Sequence, residues 1–319
     1  MSVRFGLAVE NFTPASKVPD IEQIRRYAEE AEHLGYSSLW VWDHLFLGAR
    51  RPFPFHESLM TLSLLACATT MMELGTGVLV LPLREPVLLA KTAATLQLQS
   101  RGRLTLGMAA GWYEREFQAV GVPFKARGRI FEENLDVLRA LWDTEDVTGE
   151  VGGRRFTHVV MLPRPDPPPK VLIGGYVDKV LRRVATRGDG WLTYFYTPAS
   201  FEQNWAKILG FAEEAGRDPS ELDNVAQVPL CIGSSYEEAT ERGFRFVADY
   251  FDVAEWSEST PESTIRGTPE QCAEQVQAHL DAGVRHLVLC PYNYELEQVQ
   301  RFSEEILPLL HLDTKVASE

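Results

Sequence analysis

The sequence predicts an α/β chain closed as a (β/α)8 barrel, a TIM barrel, and three observations carry that expectation. Short runs of β-branched and aromatic residues alternate eight times with longer segments of helical periodicity. Several short runs, such as LWVW and HLVLC, read as near-continuous apolar runs, as a parallel strand covered on both faces requires. The length, 319 residues, suits eight such units with insertions; an open doubly wound sheet is the alternative.

The strands are expected at 3–9, 38–42, 73–79, 104–109, 171–174, 190–195, 225–232 and 286–290. The helices centre on IEQIRRYAEEAEHLG, SLMTLSLLACATT, PVLLAKTAATLQLQS, GRIFEENLDVLRALW, DKVLRRVATRG, SFEQNWAKILGFAEEAG, SYEEATERGFRFVADYF and ELEQVQRFSEEILPLL. Gly35, Gly102, Gly188 and Gly283 stand between a helix and the next strand, where a left-handed C-cap is expected. Residues 147–169 break the alternation with glycines, a short FTHVVML run and the cluster PRPDPPP, which reads as a hairpin and an extended linker. Residues 252–267 read as an irregular polar segment at the barrel mouth. The whole of 1–319 is expected to be a single domain.

Composition narrows the function. With 31 Lys and Arg against 45 Asp and Glu the formal charge is −14, which argues against general binding to nucleic acid or anionic lipid. No apolar run approaches the length of a spanning helix and the start lacks a signal-peptide pattern, so a cytoplasmic protein is expected. Cys67, Cys231, Cys272 and Cys290 form no CxxC pair and are expected to be buried thiols. The seven histidines show no HxH or HExxH spacing, so no metal is expected, and neither a GxSxG elbow nor a phosphate-binding GxGxxG or Walker motif is present.

In a barrel of this kind chemistry sits at the C-terminal ends of the strands. After 38–42 come Asp43 and His44, a carboxylate and the side chain best matched to proton transfer near neutral pH; capping by Asp43 and plain packing by His44 is the alternative. Toward the end of 73–79, Gly75, Thr76 and Gly77 leave room for a flat ring against the backbone. After 104–109, Trp112 and Tyr113 offer flat apolar surface, or pack beneath a helix. After 171–174, Gly174, Gly175, Tyr176 and Val177 lead into a helix N-terminus suited to a phosphate, although many such turns bind nothing.

Taken in order, SLWVWDHL, LGTGVLVLPLREPVLLAKTAATL, GRLTLGMAAGWYEREFQAVGVPFKARGRIFEENLDVLRALW, PPPKVLIGGYVDKVLRRVATRGDGWL and GTPEQCAEQVQAHLDAGVRHLVL resemble the bacterial luciferase-like superfamily of flavin-dependent monooxygenases and deazaflavin (coenzyme F420)-dependent oxidoreductases. The resemblance implies that Asp43 and His44 are the pair approaching the cofactor ring, with His44 an acid/base or hydride-site organiser. It places a non-prolyl cis peptide at Gly77-Val78 behind the ring and the cofactor phosphate at Gly174, Gly175, Tyr176 and Val177; Trp112, read from its own flat apolar surface after 104–109, is expected to bind the cofactor too. Sugar-phosphate dehydrogenases of the group carry Glu where this chain has Trp112 and Lys where it has Thr197, so glucose 6-phosphate is not the expected substrate. The expected function is F420-dependent hydride transfer to or from a small organic molecule. An FMN-dependent monooxygenase and a non-catalytic flavin-binding relative are the alternatives. The irregular segments 46–55, 147–169 and 252–267 would line the entrance, with Arg50 and Arg51 meeting an anionic group. The resemblance also implies a homodimer.

Overall fold

The computed structural model describes residues 3–14, 17–48, 52–251 and 260–312. In chain order the elements are β1 (Arg4–Ala8), α1 (Ile21–His33), β2 (Ser38–Val41), α2 (Ser58–Ala68), β3 (Glu73–Val80), α3 (Pro86–Gln99) and β4 (Leu104–Ala109). Next come α4 (Glu114–Val120), α5 (Arg127–Asp143), β5 (Val147–Val151), β6 (Arg154–Val159), β7 (Lys170–Gly174), α6 (Asp178–Arg187) and β8 (Gly190–Tyr194). The rest are α7 (Pro198–Glu214), β9 (Asp223–Ile232), α8 (Tyr236–Phe251), α9 (Thr260–Ser263), β10 (Ile265–Gly267), α10 (Pro269–Asp281), β11 (His286–Pro291) and α11 (Leu296–Arg301). The fold is a (β/α)8 barrel, as the alternation predicts.

Two compact units are distinguished within the chain: Met1–Glu10, Arg26–Trp40 and Ile173–Glu319 make one, Asn11–Arg25 and Val41–Leu172 the other. In the first, β1 pairs in parallel with both β2 and β11, β11 with β9, and β9 with β8 and the short β10. All ten residues of β9 and all six of β11 are buried, as parallel strands covered on both faces are, although β9 carries Asp223, Asn224 and Gln227 among its apolar residues and β11 opens on His286. In the second unit β3 pairs in parallel with β4, and the register shifts between Gly77 and Leu79. The predicted hairpin is there as antiparallel β5 and β6, and its residues are mostly exposed, with Val147 and Phe156 its buried ones.

Local chemistry sets where helices begin. Thr197 and Ser200 form a capping box at α7 with Pro198 in the first turn, and Thr268 and Gln271 do the same at α10 with Pro269. Glu85 caps α3 ahead of Pro86, and Glu57 caps α2. In each case a side-chain oxygen satisfies a first-turn N–H that has no partner within the helix.

Three expectations need correcting. Cys231, Cys272 and Cys290 are buried but Cys67 is exposed, on the outer side of α2. Gly35, Gly102 and Gly283 adopt positive φ, whereas Gly188 does not (φ −91°); an added Cβ there would lie 3.2 Å from Gly190 O and from the Ile173 side chain, so Gly188 is small for room. The segment 252–267 is not irregular at its end, since Ile265–Gly267 forms β10, a strand too short to announce itself without β9 to pair with. The GWYEREF stretch contains a separate helix, α4. Residues 252–259, and Arg50 and Arg51 with their proposed anionic contact, lie outside the described residues. Among the described residues no helix is long and apolar enough to cross a membrane, and no group of three or more His, Cys, Asp or Glu is placed to hold a metal ion.

Candidate active site

Strand β2 ends in a buried core and delivers Trp42, Asp43 and His44 to its C-terminal end. Asn11 fastens this turn: its amide donates to Trp42 O at 2.8 Å and its oxygen accepts the Trp42 N–H at 2.9 Å. Asp43, only 6% exposed, is wholly engaged by the protein. Its Oδ1 accepts from Ser58 Oγ at 2.9 Å and Arg84 Nη2 at 2.5 Å, and its Oδ2 accepts the Val80 N–H at 3.0 Å. Arg84 reaches on to Glu57 at 2.6 Å. Burial alone would lower the Arg84 pKa, but Asp43 and Glu57 hold the guanidinium above its ordinary value. The network ties the ends of β2 and β3 to the start of α2.

His44 points away from that network. Its Nδ1 lies 3.1 Å from Glu116 Oε2, and Glu116, 1% exposed, accepts the Leu45 N–H at 2.6 Å and the Phe46 N–H at 3.4 Å through Oε1. The imidazole packs edge-on against Phe55 (centroids 5.4 Å apart) and Trp112 (5.8 Å). Among the described residues Nε2 of His44 has no hydrogen-bond partner.

Gly77 and Val78 sit at the bulge of β3, and the peptide between them is cis. Two residues on, Val80 is held by Asp43, so the bulge and the Asp43 network are continuous. Past β4, Gly111 turns the chain with φ +81°, and a Cβ there would come within 2.6 Å of Val80 and 2.9 Å of Phe117. This close approach sets Trp112, half-buried, beside His44, with Tyr113 at 5.3 Å behind it. The second unit therefore gathers Asp43, His44, Gly77, Val78 and Trp112 through a connected set of contacts.

Gly174, Gly175, Tyr176 and Val177 belong to the other unit, at the join between β7 and α6. Gly174 is buried; Tyr176 and Val177 are 40% and 65% exposed. Gly175 has φ +135°, and its carbonyl accepts the Trp191 indole N–H at 2.9 Å. The Tyr176 hydroxyl donates to Tyr194 O. Val177 is the N-cap of α6, and no side chain caps it. The Val180 N–H turns back to Val177 O at 2.7 Å, and no side chain caps the N–H groups of Asp178 and Lys179 ahead of it, at the positive end of the helix dipole.

Sequence reasoning missed Glu116, Arg84 and Glu57. Glu114 and Glu116 share the first turn of α4, and nothing local says which of two carboxylates faces inward. The Thr197 hydroxyl accepts the Ser200 N–H in the α7 capping box.

The model of the luciferase-like monooxygenase family matches residues 3–286, and the chain belongs to that family. It is 25% identical to an F420-dependent glucose-6-phosphate dehydrogenase of Amycolatopsis mediterranei, over 97% of this chain and 98% of the relative. It is 26% identical to an FMNH2-dependent dimethylsulfone monooxygenase of Pseudomonas fluorescens, over 99% and 97%. A solved F420-dependent secondary alcohol dehydrogenase, in complex with an F420-acetone adduct, superposes with a TM-score of 0.81 at 19% identity, covering 98% of this chain and all of that one. The chain is an oxidoreductase of the luciferase-like family.

Proposed function

We propose that this oxidoreductase uses coenzyme F420 to transfer a hydride to or from a small organic substrate, with His44 as the acid/base group. One observation carries the reading: a mostly buried imidazole, held by a buried carboxylate through Nδ1, keeps Nε2 unpartnered beside an indole. When bound, the deazaflavin supplies the two-electron chemistry, and the chain's own residues orient and shield it. Asp43 is a positioning residue in this reading, since both its oxygens are occupied by protein donors. Gly77 and Val78 would lie against the ring and Trp112 would flank it. The uncapped start of α6 fits a phosphate, and Gly174, Gly175, Tyr176 and Val177 would hold it through backbone N–H groups.

The substrate is not a sugar phosphate on this reading. Trp112 offers an apolar face where a carboxylate would be needed, and Thr197 caps a helix instead of presenting a cation. A second reading, an FMN-dependent monooxygenase, is supported by the similarity to the dimethylsulfone enzyme. Fluorescence titration with F420 and FMN in turn tests both. Saturable quenching by F420 supports the first; tight FMN binding with oxygen consumption replaces it with the second; quenching by neither leaves a relative that does not use such a cofactor. A homodimer is proposed as well, through the face bearing Met60 and Leu88, 72% and 68% exposed, beside an apolar groove of about 710 Å³. Light scattering that returns a monomer mass would remove that part.

A further inference from the structure

We propose that Glu116 is a positioning residue that decides which nitrogen of His44 carries the proton: Nδ1–H donates to Glu116, and Nε2 is left with a free lone pair. The importance of this for turnover rests on the function proposed above; the proton assignment does not.

The carboxylate is oriented before the imidazole is considered. Glu116 is 1% exposed, and its Oε1 accepts the N–H groups of Leu45 and Phe46, the two residues directly after His44. Those two donors fix the carboxylate relative to the backbone that carries the ring. Its Oε2 is then 3.1 Å from Nδ1. An ionised carboxylate accepts hydrogen bonds and has none to give, so the hydrogen in this contact must come from Nδ1. A neutral imidazole with its proton on Nδ1 has a bare Nε2. Phe55 and Trp112 pack edge-on against the ring and keep it from turning over to exchange the two nitrogens.

Two consequences follow for the ligand. His44 acts as an acceptor toward whatever group faces Nε2, so the substrate class it favours carries an O–H or N–H at that point. The acceptor is also preset, so no reorganisation of the imidazole is needed when the ligand arrives.

The test is a long-range proton–nitrogen NMR spectrum of the full chain labelled with ¹⁵N-histidine, at mildly alkaline pH, with the His44 signals assigned by their loss in His44→Ala. The expected spectrum shows a protonated Nδ1 and an unprotonated Nε2. In Glu116→Gln the carboxamide can donate to Nδ1, which moves the proton to Nε2; Glu116→Asp keeps a carboxylate and the wild-type pattern. Turnover in Glu116→Gln falls by about 10²–10⁴, the scale of a mis-set tautomer, and Glu116→Asp recovers part of it. A wild-type His44 with its proton on Nε2, or a Glu116→Gln chain with the wild-type pattern, overturns the inference. If Glu116→Gln does not fold, the wild-type spectrum decides alone. Because that spectrum needs no cofactor, failure to bind F420 or FMN would remove the proposed function and leave this assignment standing.

Discussion

The join after β2 and the join after β7 are both short strand ends, yet they are built by opposite means. After β2 the functional atoms are side chains, and each is held by a buried partner: Asp43 by Ser58, Val80 and Arg84, and His44 by Glu116. After β7 the exposed atoms are backbone, shaped by Gly175 and by a helix start that no side chain caps. The difference teaches where specificity is stored. A side-chain site needs a second layer of residues to preserve its protonation and aim, whereas a backbone site needs room and a free helix end.

Substitutions can break this contrast, and the largest effect is expected at the ring. His44→Ala should lower turnover with the quenching cofactor by about 10²–10⁴ while leaving its binding nearly intact, because a proton-transfer group is lost and little contact area with it. Steady-state kinetics beside the fluorescence titration checks this; unchanged turnover would make His44 structural.

Asp43→Ala comes next. It strands the Arg84 guanidinium, only 18% exposed, with the more open Glu57 as its remaining partner, and should cost about 3 kcal/mol in urea unfolding. A loss below about 1 kcal/mol would mean the network relaxes at no cost.

A buried histidine without a partner sharpens the comparison. His279 packs against Tyr196, its Nδ1 has no hydrogen bond, and burial lowers its pKa from 6.5 to about 4. Below the unfolded value the unfolded chain binds a proton that the folded chain resists. Stability from this group is therefore complete above about pH 6.5 and falls by about 1.4 kcal/mol per pH unit as pH drops toward 4. Unfolding curves of His279→Gln across this window should show a shallower acid dependence than the wild type; parallel curves would contradict it.

At the backbone-built join, Gly175→Asp and Gly175→Asn carry the same strain at φ +135° and the same crowding against Val180. Only Asp adds a charge, so it should bind the cofactor about tenfold more weakly than Asn if a phosphate sits there. Equal affinities would move the phosphate elsewhere. The smallest effect belongs to Glu57→Gln. It removes a half-exposed ion pair from Arg84 while Asp43 remains, and should shift stability by less than about 1 kcal/mol.

Much of this molecule is legible in its sequence. β4 is read to the residue, and β9 begins only two residues before its expected start, at Asp223. Asp43, His44, Trp112 and Gly174 to Val177 stand at or just past strand ends, where chemistry in such barrels is placed, whereas Gly77 and Val78 lie inside β3 at its bulge. β10 was not legible, since three residues carry no period, and α4 was not, since seven residues barely carry one.

What the sequence by itself determined was the alternation of strand and helix, and with it the list of residues standing at strand ends. Only the tertiary structure decided which carboxylate faces His44. Glu116 lies 72 residues further along the chain, and a hydrophobic period reports how an element is rotated, not which distant side chain a barrel will bring against it. For the same reason the partner of Asp43 came from Arg84, 41 residues away, through contacts that no local pattern encodes.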